Sequence, residues 1–242
     1  MLDFVESSLK MSLRELINKM QRRSVERTFY CGIPTMRCPN DTWVYQEIIW
    51  ERKPDVIIEI GTYCGGLALA LAHMLDNMFP ACSVVDSNTG ERLTMRCAHS
   101  GSEIFYKRVI AVDIDLTPAR QHNPKPHERI TFLEGSGVKL FPQIKAMISP
   151  EERVMVIEDS SHFTENTLAV LRTYEPLIKV GDYMIVEDTL VRHGLDEGPA
   201  AGHGPWEGIE KFLVENKNFV SDRSRENFIL TWNPTGFLKR VS

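Results

Sequence analysis

Residues 154–162 read VMVIEDSSH and residues 183–188 read YMIVED. In each, four apolar residues of the kind found in a strand buried on both faces give way at once to acids. If the two strands are parallel neighbours, Asp159, Glu187 and Asp188 emerge at one edge of the sheet. Carboxylates held close together repel and raise one another's pKa. A hard dication such as Mg²⁺ removes that conflict, and an all-oxygen donor set suits it. Helix capping accounts for any one of these acids, but less well for three at paired strand ends. His162 follows Asp159 by three residues. An imidazole has an ordinary pKa suited to proton removal at neutral pH, and a metal-held hydroxyl needs only a modest base. The chemistry these residues offer is deprotonation of a hydroxyl group.

A second constellation starts at residues 59–66, EIGTYCGG. Gly61 and Gly65 permit tight turning and close backbone approach to a ligand. The spacing is not that of a dinucleotide fingerprint, because Tyr63 stands where the second glycine would be. Glu59 would repel phosphate and suit a cationic or hydroxyl-rich ligand. Asp113 ends the apolar run VIAVD, a position from which an acid grips ribose hydroxyls. Asp86, after SVV, is its rival. The order E-x-G-x-x-x-G resembles motif I of the class I S-adenosylmethionine-dependent methyltransferases. That resemblance implies that Gly135 and Ser136, after FLE, border the adenine, with Asp159 reaching the same cofactor.

These residues need a scaffold, and the chain supplies one. It has 242 residues, of which 43% are hydrophobic and 25% charged, as in an ordinary globular domain with a sizeable core. β-Strand and helix patterns alternate from residue 55 onward. Strands are expected at 55–60, 109–113, 130–133, 154–157, 183–186, 228–232 and 237–241. Helices are expected at 67–75, 138–147, 164–174 and 206–215. Such alternation predicts an α/β fold with a mostly parallel central sheet flanked by helices. Before it, Ser12 and Glu15 form a capping box ahead of an amphipathic helix, and Asp41 is placed to cap a second helix over 43–51. Residues 1–53 thus read as an N-terminal helical extension and 54–242 as the catalytic domain. Two stretches break the rhythm. Residues 79–107 read as an insertion with a short strand at 82–85, and residues 189–204, rich in glycine, read as a mobile lid.

Composition excludes several classes. A net charge of −5 gives no reason to expect nucleic acid as a partner. No apolar stretch is long enough to span a bilayer, and the first residues do not form a signal peptide. Five cysteines without a CxxC pair indicate neither a disulfide framework nor a standard zinc site, and Cys82, Cys97 and His99 match no ligand spacing. A reducing, cytoplasmic setting is expected.

The chain further resembles the cephalosporin hydroxylase / rhamnosyl O-methyltransferase family. The matching pieces are CPNDTWVYQE at 38–47, IEIGTYCGG at 58–66, VDID at 112–115, EDSSH at 158–162, VEDT at 186–189, GPW at 204–206 and FILTWNPTGFLKR at 228–240. The resemblance implies a Rossmann-like class I methyltransferase fold with S-adenosylmethionine over Gly61, Tyr63 and Gly65, held by Glu59, Asp113, Gly135, Ser136 and Asp159. It implies Mg²⁺ on Asp159, Glu187 and Asp188, His162 as base, and a small natural-product or sugar-like acceptor. Residues 79–107 match nothing in the family. Two other readings stay open: a metal-dependent hydroxylase, after the family label, and a non-catalytic ligand-binding module. The acceptor's identity and the oligomeric state are not readable, although the leading helix is available to pack between subunits.

Overall fold

The apolar runs pair as one sheet because their hydrogen-bonding edges and both their faces can be covered at once. A computed structural model describes residues 11–23, 25–79, 81–85, 92–96, 107–123, 125–192 and 202–242. Helix α1 (Leu13–Arg23) opens it, followed by a small ribbon of β1 (Phe29–Tyr30) and β2 (Ile33–Pro34), then α2 (Pro39–Arg52). Strand β3 (Val56–Ile60) leads into α3 (Gly66–Met78), and β4 (Ala81–Val85) and β5 (Arg92–Arg96) form an antiparallel hairpin. Next come β6 (Arg108–Asp113), α4 (Thr117–His122), β7 (Ile130–Glu134), α5 (Gly137–Ala146), β8 (Val154–Glu158) and α6 (Thr164–Tyr174). The chain continues with β9 (Tyr183–Val186), α7 (Pro205–Glu215), β10 (Phe219–Ser221) and β11 (Phe237–Arg240).

Seven strands lie in the order β10-β11-β9-β8-β3-β6-β7. Five are parallel, from β9 through β7, and β11 and β10 continue the sheet in antiparallel sense. Strand β3 is central, with β6 on one side and β8 on the other. The chain therefore leaves β3 toward β6 and β7, then crosses back to β8 and β9. That reversal opens a crevice at the carboxyl ends of the strands, where ligands bind in open α/β sheets.

Both faces are covered. Ile57, Val109, Ala111, Met155 and Ile157 pack with Ile48, Ile49, Leu71 and Leu75 of α2 and α3. Ile58, Ile110, Val112 and Val156 pack with Ile144, Leu168, Leu171 and Phe212 of the helices on the opposite face. Every residue of β3, β8 and β9 is buried. This is the pattern of continuous apolar strands rather than alternating ones.

The expected helices and parallel strands form within a few residues of the expected bounds. The capping box is present, with Ser12 N–H donating to Glu15 Oε2 at 2.8 Å and Glu15 N–H to Ser12 Oγ at 3.3 Å. Two expectations are corrected. Asp41 does not cap α2, because Pro39 starts that helix and Cys38 holds the cap position. Asp41 instead accepts from Thr231 Oγ1 at 2.5 Å and from Trp232 N–H at 2.9 Å. For the same reason residues 228–232 are not a strand. Asn40 Nδ2 donates to Leu230 O at 3.0 Å, and Ile229 turns the chain at a φ of +67°. The backbone groups a strand would use are committed to the first turn of α2. The outer strand is β10. The expected strand at 82–85 exists as β4, with β5 as its partner. Asp86, Cys97 and His99, the side chain of Cys82, and residues 193–201 of the expected lid lie outside the described residues.

Candidate active site

Register decides where the acids go. Strands β8 and β9 are parallel neighbours, with Glu158 opposite Val186, so the residues after each strand leave on the same edge. Asp159 N–H donates to Ile60 O at 2.8 Å and Glu187 N–H to Glu158 O at 2.9 Å, which carries the ladder one step past the strands. The polar ends of β3, β8 and β9 are thus held side by side.

Gly61 shows how close they lie. It has a φ of +93°, and a Cβ placed on it would stand 2.0 Å from the carbonyl oxygen of Asp159. Its N–H donates to Val112 O at 2.8 Å. Only a residue without a side chain lets the turn after β3 lie on the turn after β8. Two positions further along the turn, Tyr63 N–H donates to Asp113 Oδ2 at 2.8 Å. The acid at the end of β6 therefore fixes the glycine turn as well as facing the crevice.

A cavity of about 690 Å³ opens over this edge. Gly61, Tyr63, Asp113, Gly135, Ser136, Asp159, His162 and Asp188 line it. Glu59 and Gly65, both expected to hold the cofactor, do not. The period of two along β3 puts Glu59 on the same face as Ile57, under the turn rather than beside the cavity. There its side chain is fully buried, accepting from Thr62 Oγ1 at 2.7 Å. Gly65 turns at a φ of +80° against the Phe132 ring and serves the start of α3.

Asp159, His162 and Asp188 each present one ligand atom, and these atoms all lie within 4.8 Å of one another. His162 Nε2 stands 3.0 Å from Asp159 Oδ1 and 3.4 Å from Asp188 Oδ2. Both His162 and Asp188 sit at positive φ, 52° in each case. Such backbone in non-glycine residues is costly and concentrates at functional positions. Glu187 is not part of this trio. It turns into the protein and forms an ion pair with Arg37, leaving Oε1 buried and, among the described residues, without a partner.

Arg37 is the residue that sequence reasoning missed. From the loop between β2 and α2 its Nη1 reaches Asp159 Oδ2 at 2.6 Å as well as Glu187, and its Nη2 faces Glu59 Oε1 at 3.4 Å. The guanidinium answers the repulsion for which a dication had been invoked. Burial disfavours its charge, but Asp159 and Glu59 outweigh that and push its pKa upward. The same charges act outward. Burial alone would raise Asp159, yet Arg37 and His162 hold it below its ordinary value. Burial raises Asp188 to about 6, with the charge of Asp159 adding to it. Burial would lower His162, but its bond to Asp159 and the charges of Asp159 and Asp188 carry it up to about 9. These charges favour the imidazolium over the neutral base expected from an unperturbed histidine. Glu158 is lifted to about 8 by burial, against hydrogen bonding from Ser160 Oγ at 2.6 Å. This gives Ser160 a role that the sequence left unassigned.

Three comparisons bear on this geometry. Residues 22–241 match the sequence family described as Rhamnosyl O-methyltransferase/CmcI. The rhamnosyl O-methyltransferase of Mycobacterium tuberculosis (strain ATCC 25618 / H37Rv) is 31% identical over 216 residues, covering 88% of this chain and 78% of that protein. Its counterpart in Mycobacterium leprae (strain TN) is 30% identical over 221 residues, covering 88% and 83%. Among solved structures, CmcI with Mg and SAM superimposes with a TM-score of 0.61 at 20% identity, covering 90% of this chain and 78% of that one. At that identity the likeness speaks for the fold, a Rossmann-like methyltransferase sheet.

Proposed function

The chain belongs to the Rhamnosyl O-methyltransferase/CmcI family of S-adenosylmethionine-dependent O-methyltransferases, and from that premise we propose that it methylates a hydroxyl of a sugar-like or natural-product acceptor with the help of Mg²⁺. The observation that carries this reading is the convergence of Asp159, His162 and Asp188 in the lining of the glycine-turn cavity. The rhamnosyl acceptor named for the relatives supports a sugar hydroxyl.

The residues present fit both groups. The cavity has the size of a small-molecule site, and Gly61, Tyr63, Asp113, Gly135 and Ser136 line it where the cofactor would lie. Asp159 and Asp188 are the oxygen donors of the proposed metal site. Glu187, whose Oε1 is buried and, among the described residues, without a partner, stands outside the trio and is proposed as the third carboxylate. S-adenosylmethionine supplies an electrophilic methyl, and Mg²⁺ supplies Lewis acidity toward chelating hydroxyls. The protein orients the acceptor beside His162 and excludes water, so its contribution is chiefly positioning and electrostatics. His162 accepts the hydroxyl proton at Nε2, the nitrogen now shared with Asp159 and Asp188. It can do so only when those carboxylates no longer hold it as a cation. This trio has two carboxylates and one imidazole, the reverse of the two-histidine, one-carboxylate donor set of iron oxygenases, which speaks against the hydroxylase reading.

The test is mass spectrometry of a panel of hydroxylated metabolites incubated with S-adenosylmethionine and Mg²⁺, in search of one added methyl. Chelation abolishes the product and Mg²⁺ restores it. His162→Ala removes turnover while S-adenosylhomocysteine affinity survives. Full turnover after chelation removes the metal from the mechanism, and full turnover in His162→Ala removes the base. Cofactor binding with no methylated product from any acceptor favours a binding module.

A further inference from the structure

The cation among the strand-end acids comes from outside the sheet, on a segment built to hold it there. Arg37 N–H donates to Thr28 Oγ1 at 2.8 Å, Met36 before it turns at a φ of +51°, and Thr35 is pressed against Gly66 at the start of α3. The guanidinium is 8% exposed and contacts three carboxylates. The fit is incomplete on both sides. Arg37 Nε and Glu187 Oε1 are each buried and, among the described residues, unpartnered. A guanidinium that is the final occupant of a buried acidic site normally uses its planar fork in full. Leaving buried polar atoms unmade on both partners is costly.

Two of the three carboxylates assigned to the metal, Asp159 and Glu187, are the ones that Arg37 Nη1 holds. We propose that Arg37 is a resident counter-charge that competes with the divalent cation, so that metal entry requires the guanidinium to release Asp159 and Glu187. This rests on the metal reading above. Divalent affinity is then set by Arg37 as well as by the ligands. Because Thr35, Met36 and Arg37 all line the cavity, release of the guanidinium also reshapes the wall against which the acceptor lies. Metal binding and acceptor fit become linked through one short segment.

The experiment is calorimetric titration of Mg²⁺ into the wild-type chain, Arg37→Met and Arg37→Lys, each saturated with S-adenosylhomocysteine, with parallel thermal melts in chelator and in Mg²⁺. Arg37→Met is expected to bind Mg²⁺ at least tenfold more tightly than wild type, with Arg37→Lys between them. Mg²⁺ should raise the melting temperature of Arg37→Met more than that of wild type. Affinity in Arg37→Met equal to or weaker than wild type overturns the proposal. If Arg37→Met folds only in Mg²⁺, the metal has replaced the missing charge and the proposal stands. If it folds in neither, Arg37→Lys decides: tighter binding supports competition, and equal or weaker binding overturns it. Binding by Arg37→Met where wild type shows none also supports it. No binding in any chain refutes the metal reading itself, and this proposal with it.

Discussion

Replacing Gly61 with alanine tests whether the turns after β3 and β8 are locked against each other as the geometry requires. Two costs add. Alanine at a φ of +93° leaves its favoured backbone region, which costs about 1–2 kcal/mol. Its Cβ would also meet three backbone atoms of the facing loop, at 2.0 Å from Asp159 O, 2.5 Å from Asp159 C and 2.9 Å from Ser160 Cα. No side chain can swing aside there, so one turn must retreat by about an ångström in a packed interior. Both turns are tied to the sheet, through Gly61 N–H to Val112 O and Asp159 N–H to Ile60 O, each at 2.8 Å. Losing one or both adds roughly 0.5–1.5 kcal/mol apiece. The expected sum is about 1.5–5 kcal/mol, and at roughly 2–4 °C per kcal/mol for a chain of this size the melting temperature falls by about 3–20 °C. Because it is Asp159 that is displaced, S-adenosylhomocysteine affinity should fall in the same variant. Gly32→Ala is the control. Gly32 also has a positive φ, +85°, but a Cβ there meets nothing within 4 Å, so it carries the conformational cost alone. Differential scanning fluorimetry with and without S-adenosylhomocysteine reads both effects. A Gly61→Ala chain that melts no lower than Gly32→Ala and binds the cofactor normally would refute the close approach.

Three further outcomes follow from individual residues. Burial raises the Asp41 carboxyl from 3.8 to about 6, against the hydrogen bonds from Thr231 and Trp232. The folded state therefore holds this proton more tightly than the unfolded chain. Its contribution is present below pH 3.8 and lost as pH rises to 6, a swing of roughly 3 kcal/mol. The stability of wild type relative to Asp41→Asn, from urea unfolding at several pH values, should fall over that window, and a pH-independent difference would sink the assignment. Asp113 anchors the glycine turn through Tyr63 N–H, so Asp113→Ala should weaken S-adenosylhomocysteine binding at least tenfold, as measured by calorimetry. Unchanged affinity would mean that the turn holds itself. Burial, with the charge of Asp41 adding to it, pushes the Cys38 thiol up to about 12, whereas Cys31 is exposed. With thiolate the reactive form, iodoacetamide at pH 8 should modify Cys31 well before Cys38 in a peptide-mapping time course, and equal rates would contradict the burial of α2's first turn.

Much of the scaffold was legible because it is written in local pattern. Strands β3, β8 and β9 are dense apolar runs that end in glycine or acid, and burial on both faces is what such runs require. The failures share one cause. FILTW at 228–232 has the composition of a strand, yet Phe228 and Ile229 are exposed, and the backbone of Leu230 and Trp232 is bonded to Asn40 and to Asp41. Asp41 has the type of a helix cap, and its hydrogen bonds go to the same distant segment. In both cases a long-range contact overrode a local preference that was real. No reading of either segment alone could find it, because side chains of one satisfy the backbone of the other.

The site divides along the same line. That Asp159 and Asp188 converge follows from two strand ends and one assumption, parallel pairing, which the alternation of elements already implied. What the alternation cannot give is the direction a side chain takes after the strand ends. Glu187 and Asp188 are neighbours, yet one turns inward to Arg37 and the other outward to His162. Spacing predicted a triad of acids around a dication. The structure shares four acids between Arg37 and His162, Arg37 taking Glu59, Glu187 and one oxygen of Asp159, and His162 taking the other oxygen of Asp159 and Asp188. Asp159 is the residue common to both sets. A divalent ion placed on it must weaken its hold on Arg37 and on His162 together. If the ion binds as proposed, it would compete for Asp159 with Arg37 and with His162 together. The sequence carried the acids and the histidine but not this coupling, because the coupling depends on one arginine in a loop far from them in the chain.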